Sequence, residues 1–239
     1  ALDLIRAAQR PIFIAGGDIW QNRAEEIFVS FIEQVRIPVI VNGMARGILP
    51  LSHPLLVTPA RSYALKSADL VIVAGTPLDF RLGYGDFGEA QVVFITDDPQ
   101  ASLQVKATRI TGDLPAMFSI LRDELTIPMG TDAWRIDLAE RSYSIRTSNH
   151  EVMNTRGELI HPAEIYGALI PRLTESTITI GDGGDFVSFA GKFIEPSRPG
   201  RWLDPGPFGA LGTAMGYTLA AGKAFPDDPL VVLLGDGAA

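Results

Sequence analysis

Leu230-Val231-Val232-Leu233-Leu234-Gly235-Asp236-Gly237 is the stretch that decides the fold class. An apolar run this short, ending in a glycine turn, reads as a strand buried on both faces. Such a strand normally feeds a helix that covers its sheet, which is the βα unit of an open parallel sheet. Further upstream, Ile178-Thr179-Ile180 ends in Gly181-Asp182-Gly183-Gly184 in the same manner. Four more short runs precede it. Pro11-Ile12-Phe13-Ile14-Ala15 ends in Gly16-Gly17, and Pro38-Val39-Ile40-Val41 ends at Asn42-Gly43. Leu70-Val71-Ile72-Val73-Ala74 ends at Gly75, and Val92-Val93-Phe94-Ile95 ends in Asp97-Asp98-Pro99. Between them, Ala24 to Val35 has Ile27, Phe28, Phe31, Ile32 and Val35 at helical spacing. The opening segment puts Leu4, Ile5 and Ala8 on one helical face, and Leu114 to Leu125 reads as a closing helix. Strands alternating with helices predict an α/β chain with largely parallel sheets.

The length of 239 residues, at about 150 per domain, predicts between one and two domains. The expected division is a Rossmann-like domain over 1–126, a linker over 127–160 and a second, incomplete α/β domain over 161–239. Pro128, Gly130, Thr131, Ser148, Asn149 and Asn154 mark the linker as polar, with one helix around Trp134 to Ser144. His161-Pro162 opens a helix with proline in its first turn, a favoured place. A small-residue helix is expected from Gly209 to Ala224. The chain starts in helical spacing at Ala1 and stops just after a strand turn, the pattern of a piece cut from a longer protein.

Composition excludes several classes. A net charge of −8 argues against a nucleic-acid partner, which needs clustered Lys and Arg. Apolar residues at 46% against 20% charged fit a globular core rather than disorder. With no cysteine, a disulfide scaffold, a Cys-ligated zinc site and a thiol nucleophile are ruled out. That absence permits a reducing compartment, and the expected location is cytoplasmic. No apolar run is long enough to span a bilayer, so no membrane partner is expected.

The two Gly-Asp-Gly turns carry the candidate chemistry. Ligands of open parallel sheets bind beyond the carboxyl ends of the strands. Glycine lets backbone N–H groups approach a phosphate closely. A carboxylate there would repel a bare phosphate, unless a hard cation such as Mg²⁺ lies between them. The alternative is that both turns are tight loops with an aspartate cap, since Asp and Gly are common turn residues. Gly83-x-Gly85-x-x-Gly88 matches the dinucleotide string, but it lies well past its strand and leads into another strand. No phosphate-loop lysine motif and no Gly-x-Ser-x-Gly elbow is present. His53, His150 and His161 are far apart and read as turn or cap residues.

The segment Gly209-Ala210-Leu211-Gly212-Thr213-Ala214-Met215-Gly216-Tyr217, then Pro226, then Val231 to Gly237, resembles thiamine-diphosphate enzymes of the acetolactate synthase type. Ala15-Gly16-Gly17, Gly47-Ile48-Leu49-Pro50 with His53-Pro54, Ala68-Asp69-Leu70 and Asp97-Asp98-Pro99 resemble the central domain of that family. The resemblance implies thiamine diphosphate and Mg²⁺ as cofactors, with Asp236 as a metal ligand. It implies that Gly235, Gly237 and Ala238 pass close to the diphosphate. It implies that Gly184, Asp185, Phe186 and Gly209 contact the cofactor and that Leu211 props it into its bent shape. The implied reaction decarboxylates a 2-oxo acid such as pyruvate and joins the resulting enamine to a second carbonyl compound. A place in branched-chain amino-acid biosynthesis and a homodimer or homotetramer go with it.

The family's glutamate belongs to an N-terminal domain outside this chain, and its second metal ligand, an asparagine, falls beyond Ala239. No catalytic residue is therefore expected here, and the chain alone is expected to be inactive. Acetolactate synthases also hold FAD in the central domain, using two arginines after the third strand. Here Arg81 is kept, Pro77 stands at the first arginine position, and the Gly-Met-His-Gly loop is missing near Leu56 to Ser62, so FAD stays open. Leu78 to Gly85 is more similar to oxalyl-CoA decarboxylases and 2-hydroxyacyl-CoA lyases, the alternative enzyme reading. An alternative of another class is a non-catalytic module that binds a nucleotide or phosphate.

Overall fold

A computed structural model describes residues 1–127 and 130–238. The first half builds a five-stranded parallel sheet from β1 (Pro11–Ala15), β2 (Val39–Val41), β3 (Leu70–Ala74), β4 (Gln91–Thr96) and β5 (Thr108–Thr111). The spatial order is β2-β1-β3-β4-β5. Its helices are α1 (Leu2–Ala7), α2 (Gly17–Gln21), α3 (Glu25–Val35), α4 (Arg61–Ser67) and α5 (Leu114–Glu124). Alternate side chains of each strand go to opposite faces, and both faces are covered. On one face Phe13, Ile72 and Val93 pack with Phe28, Phe31 and Phe118 of α3 and α5. Ring centroids in this aromatic group lie 5.2 to 6.3 Å apart, at tilted and edge angles typical of aromatic pairs. On the other face Ile12, Ile14, Val71, Val73 and Phe94 meet Ala64 of α4.

The polar linker expected after residue 126 takes a different form. Residues Asp132–Asn154 form one continuous 23-residue helix, α6. Ser148, Asn149 and Asn154 lie inside it rather than in a loop, and so does His150. Gly130 and Thr131 precede the helix, with Thr131 at its N-cap, while Pro128 lies outside the described residues. Two effects hold the polar segment helical. Trp134 and Leu138 bury against the first sheet, where Trp134 Nε1 donates to the carbonyl of Pro11 at 2.9 Å. The outer polar groups find partners one turn away, as in Arg141–Asp137 and Asn154 Nδ2 to the His150 carbonyl.

The second half carries a three-stranded parallel sheet of β6 (Ile178–Gly181), β7 (Trp202–Leu203) and β8 (Leu230–Leu233), in the order β7-β6-β8. Helices α7 (Pro162–Leu169), α8 (Asp185–Phe193) and α9 (Thr213–Ala224) cover it. His161 caps α7: its Nδ1 accepts from the Ala163 N–H, while Glu164 accepts from the His161 N–H. Tyr166, Ala190, Phe193, Trp202 and Leu233 pack on one side of the sheet, and Ile178, Ile180, Ala214 and Ala221 on the other. The α9 helix starts at Thr213, later than the expected Gly209, because Gly209 and Gly212 have φ of +60° and +84°. Left-handed residues cannot continue a right-handed helix. Together the sheets bear out the expected α/β architecture with parallel strands. Among the described residues no helix is long and apolar enough to cross a membrane.

Candidate functional site

β6 and β8 are neighbours in register, with Ile180 opposite Val232 and Gly181 opposite Leu233. The two Gly-Asp-Gly turns therefore leave the same edge of the sheet side by side. Their aspartates do different things. Asp182 is 1% exposed. Its Oδ1 accepts from the N–H groups of Gly183 and Gly212, both at 2.8 Å, and its Oδ2 accepts from Ala214 N–H at 2.9 Å. Burial alone would raise the pKa of this carboxylate, but the bonds from Ala214, Gly183 and Gly212 outweigh it and hold the group below its ordinary range. Asp182 is thus a brace. It ties the turn after β6 to the start of α9, and the cap reading holds for this turn. Asp236, in contrast, is exposed in a short 3-10 turn, and its carboxylate takes no hydrogen bond or ion pair among the described residues.

The glycines around them serve close approaches. A Cβ on Gly183 would lie 2.2 Å from Leu211 Cδ2, so the leucine rests directly on this backbone. Gly184 has φ of +89°, a conformation reserved for glycine at its ψ of 180°. It opens α8, whose first turn shows the exposed Asp185. Leu211 remains 56% exposed at the mouth of the site. Next to Asp236, the Cβ positions of Gly235 and Gly237 meet nothing within 4 Å. Phe186 departs from the expected set, because its ring turns into the core, 5.3 Å from that of Tyr166. Only its backbone remains near the turn, and its carbonyl accepts from the Tyr166 hydroxyl at 2.5 Å. Burial pushes that hydroxyl's pKa up to about 12, which keeps it a donor.

A cavity of about 630 Å³ lies between the two sheets' units. Gly184 and Gly209 line it, together with Asp182 and Gly183. Gly235 to Ala238 are not among its lining residues but stand at the adjacent strand end. The cavity also gathers four cations that the sequence reading did not assign to one site: Arg46, Arg61, Arg81 and Lys192. Arg81 forks onto Asp79, with Nε 3.1 Å from both carboxylate oxygens, and lies 3.7 Å from Asp204. Arg61 donates to the Asn42 side chain at 3.3 Å and to the carbonyl of Arg81. Arg46 lies over the Trp202 ring, 4.7 Å from its centroid. Burial lowers the pKa of Arg46 and of Arg61, and for Arg61 the neighbouring Arg46 and Arg81 lower it further. No local signal joins these residues, since they come from both halves of the chain.

Other candidates fall away on geometry. The string Gly83-x-Gly85-x-x-Gly88 occupies a 3-10 turn and loop before β4, not a strand-to-helix turn. His53 accepts from Leu55 N–H in a turn, remote in sequence from the capping His161. Among the described residues no three His, Cys, Asp or Glu side chains converge as a metal group.

Two open parallel sheets with glycine turns at the carboxyl edge define an α/β protein of the ligand-binding, doubly wound class. Comparison with known proteins narrows this. Residues 1–121 match the family described as "Thiamine pyrophosphate enzyme, central domain", and residues 182–239 match "Thiamine pyrophosphate enzyme, C-terminal TPP binding domain". The chain belongs to the thiamine pyrophosphate enzymes. It is 39% identical over 245 residues to "Acetolactate synthase large subunit IlvG" of Mycobacterium tuberculosis and to "Probable acetolactate synthase" of Mycobacterium bovis. Those alignments take in 100% of this chain and 44% of each relative. "2-hydroxyacyl-CoA lyase 2" of Homo sapiens is 29% identical over 248 residues, covering 99% of this chain and 39% of the relative. The chain thus spans less than half the length of the curated relatives it matches.

The site geometry fits the family's cofactor. The glycine turns leave open backbone at Gly184, Gly235 and Gly237, and beside them stands the Asp236 carboxylate, which has no partner among the described residues. The fit to FAD in the first unit is poor. Pro77 brings no charge, and Arg81 is already bound to Asp79 and near Asp204.

Proposed function

We propose that this chain forms part of a thiamine-diphosphate-dependent, acetolactate-synthase-like enzyme. The proposed enzyme decarboxylates a 2-oxo acid such as pyruvate and transfers the remaining fragment to a second carbonyl compound. One observation carries the reading. Of two neighbouring Gly-Asp-Gly turns, one aspartate is spent on three backbone N–H groups, and the other, Asp236, has no partner among the described residues. Such a carboxylate among open glycines suits a hard cation that bridges to phosphate oxygens. Asp236 holds Mg²⁺ in this proposal, and Gly235, Gly237 and Ala238 admit the diphosphate. Gly184 and Asp185 present the first turn of α8, and Leu211 would support the cofactor beside Gly183. Phe186 contributes through its backbone. Thiamine diphosphate, when bound, supplies the carbanion chemistry; this chain's part is to hold and orient it. We further propose a cytoplasmic homodimer or homotetramer, as the family resemblance implies.

A second reading is a thiamine-dependent oxalyl-CoA decarboxylase or 2-hydroxyacyl-CoA lyase. The 29% identity to "2-hydroxyacyl-CoA lyase 2" of Homo sapiens over 99% of this chain favours it. The test uses the full-length protein with thiamine diphosphate and Mg²⁺. Acetolactate formed from pyruvate supports the synthase reading. Cleavage of a 2-hydroxyacyl-CoA or oxalyl-CoA without acetolactate formation supports the second. Turnover of neither, with no cofactor binding, leaves only the phosphate-binding module.

A further inference from the structure

The turn after β2 crosses from the first unit to the second at two adjacent residues. Arg46 Nη2 donates to the carbonyl of Gly191 at 2.9 Å, and Nη1 to that of Ile194 at 3.4 Å. These carbonyls stand at the C-terminal end of α8, where helix carbonyls lack partners and a cation is favoured. The guanidinium also lies over Trp202, 4.7 Å from the ring centroid. The next residue, Gly47, has φ of +88°, and a Cβ on it would lie 2.2 Å from the carbonyl oxygen of Arg198. The two backbones are pressed together there, so Arg46 is delivered to α8 by a close-packed seam rather than by a loose side chain.

α8 has nine residues, so its two ends are about 13 Å apart. Its far end is the Gly184–Phe186 turn, where Tyr166 holds the Phe186 carbonyl. Gly184, Ser188 and Gly191 line the same cavity along one face of the helix. A rigid helix this short passes any displacement of its C-terminus on to its N-terminus.

We propose that Arg46 is a positioning residue for the cofactor site: by capping the C-terminal end of α8 from the neighbouring unit, it fixes the Gly184–Phe186 turn at the opposite end. The role rests on the thiamine diphosphate reading for its ligand, but not for its geometry. Removing the guanidinium takes the cap from the C-terminal end of α8 and leaves that end held by the packing of Ala190 and Phe193, so part of the ordering of the helix falls to ligand binding. That ordering cost is expected to weaken thiamine diphosphate binding about tenfold.

The experiment compares the full-length protein with Arg46→Met and Arg46→Lys. It measures thiamine diphosphate affinity by calorimetry at saturating Mg²⁺ and amide hydrogen exchange by mass spectrometry without cofactor. Arg46→Met is expected to weaken affinity about tenfold and to speed exchange across 184–190 with β1 and β3 unchanged. Arg46→Lys, which keeps a cation but loses the fork, is expected to fall between. Should Arg46→Met fail to fold, Arg46→Lys carries the same two readouts. Faster exchange confined to 191–194 with unchanged affinity marks a local cap only and overturns the proposal. A wild-type protein that binds no thiamine diphosphate defeats the cofactor reading alone. The exchange at 184–190 still decides whether Arg46 fixes the helix.

Discussion

Asp182 offers the most direct test of how the site is held together. Its carboxylate accepts three backbone N–H groups and is 1% exposed. In Asp182→Ala, Ala214 N–H is left in a buried position with no acceptor, at a cost of about 2 kcal/mol. Gly212 is exposed and Gly183 half-buried, so water replaces much of what they lose, and each adds about 0.5 kcal/mol. The total is about 3 kcal/mol, measured as the change in unfolding free energy by urea denaturation. The loss should be local to the second unit, with amide protection falling at Gly212 and Ala214 but not in β1 or β3. A change below about 1 kcal/mol would refute the brace. The pH dependence has a fixed sign. The folded-state pKa is held below the ordinary 3.8, so the stabilisation is complete above that value and is lost as pH falls through the folded-state pKa. Wild type and Asp182→Asn should therefore converge in stability in acid, and a gap that widens below pH 3.8 would contradict the assignment.

Other expectations follow from single contacts. Gly183→Ala should cost little stability, because Leu211 is half exposed and can swing away, yet it should weaken thiamine diphosphate binding; Leu211→Ala should remove that sensitivity in the double variant. Tyr166→Phe should cost about 1 kcal/mol through the lost bond to the Phe186 carbonyl, read by thermal unfolding. Asp18 has its pKa raised to about 6, first by burial and then by Asp97 and Asp98. A raised carboxyl destabilises the fold above that pKa and has no effect below the unfolded value of 3.8. Asp18→Asn should therefore stabilise the protein by about 1–2 kcal/mol at pH 8 and by nothing near pH 3, in paired urea titrations.

Much of the fold could be read from local pattern. β1, β3, β4 and β6 are short apolar runs ending in glycine or aspartate turns, and burial on both faces makes such runs conspicuous. β8 has the same apolar run, but only Leu233 is fully buried, so the expected burial on both faces is incomplete there. β5 lacked that signal. Thr108–Thr111 is a largely exposed edge strand with no apolar run, and only its pairing with β4 makes it a strand. β7 is two residues long, too short for any periodicity. α8 was hidden in the stretch between Gly184 and Gly209, and α6 looked like a linker because its outer face is polar over most of its length.

The site divides along the same line. Gly184 and Asp236 sit in strand-end turns that stand out by composition and order, while Gly209 and Leu211, in the loop before α9, are reached only through the family resemblance. The Asp182 brace was ambiguous in sequence, since a metal ligand and a backbone cap share the same Gly-Asp-Gly spelling; only its three N–H partners separate them. Arg46 could not be found locally at all. Its acceptor, Gly191, is 145 residues away, and the pairing exists only once both sheets are assembled.

The central claim is that Asp236 holds the cation through which the thiamine diphosphate is bound. Titrating thiamine diphosphate into the full-length protein with and without Mg²⁺, for wild type and Asp236→Ala, tests it most directly. Tight, Mg²⁺-dependent binding is expected in wild type, and in Asp236→Ala a loss of that dependence with an unchanged unfolding transition. Equal affinity in the two proteins, still dependent on Mg²⁺, would contradict it.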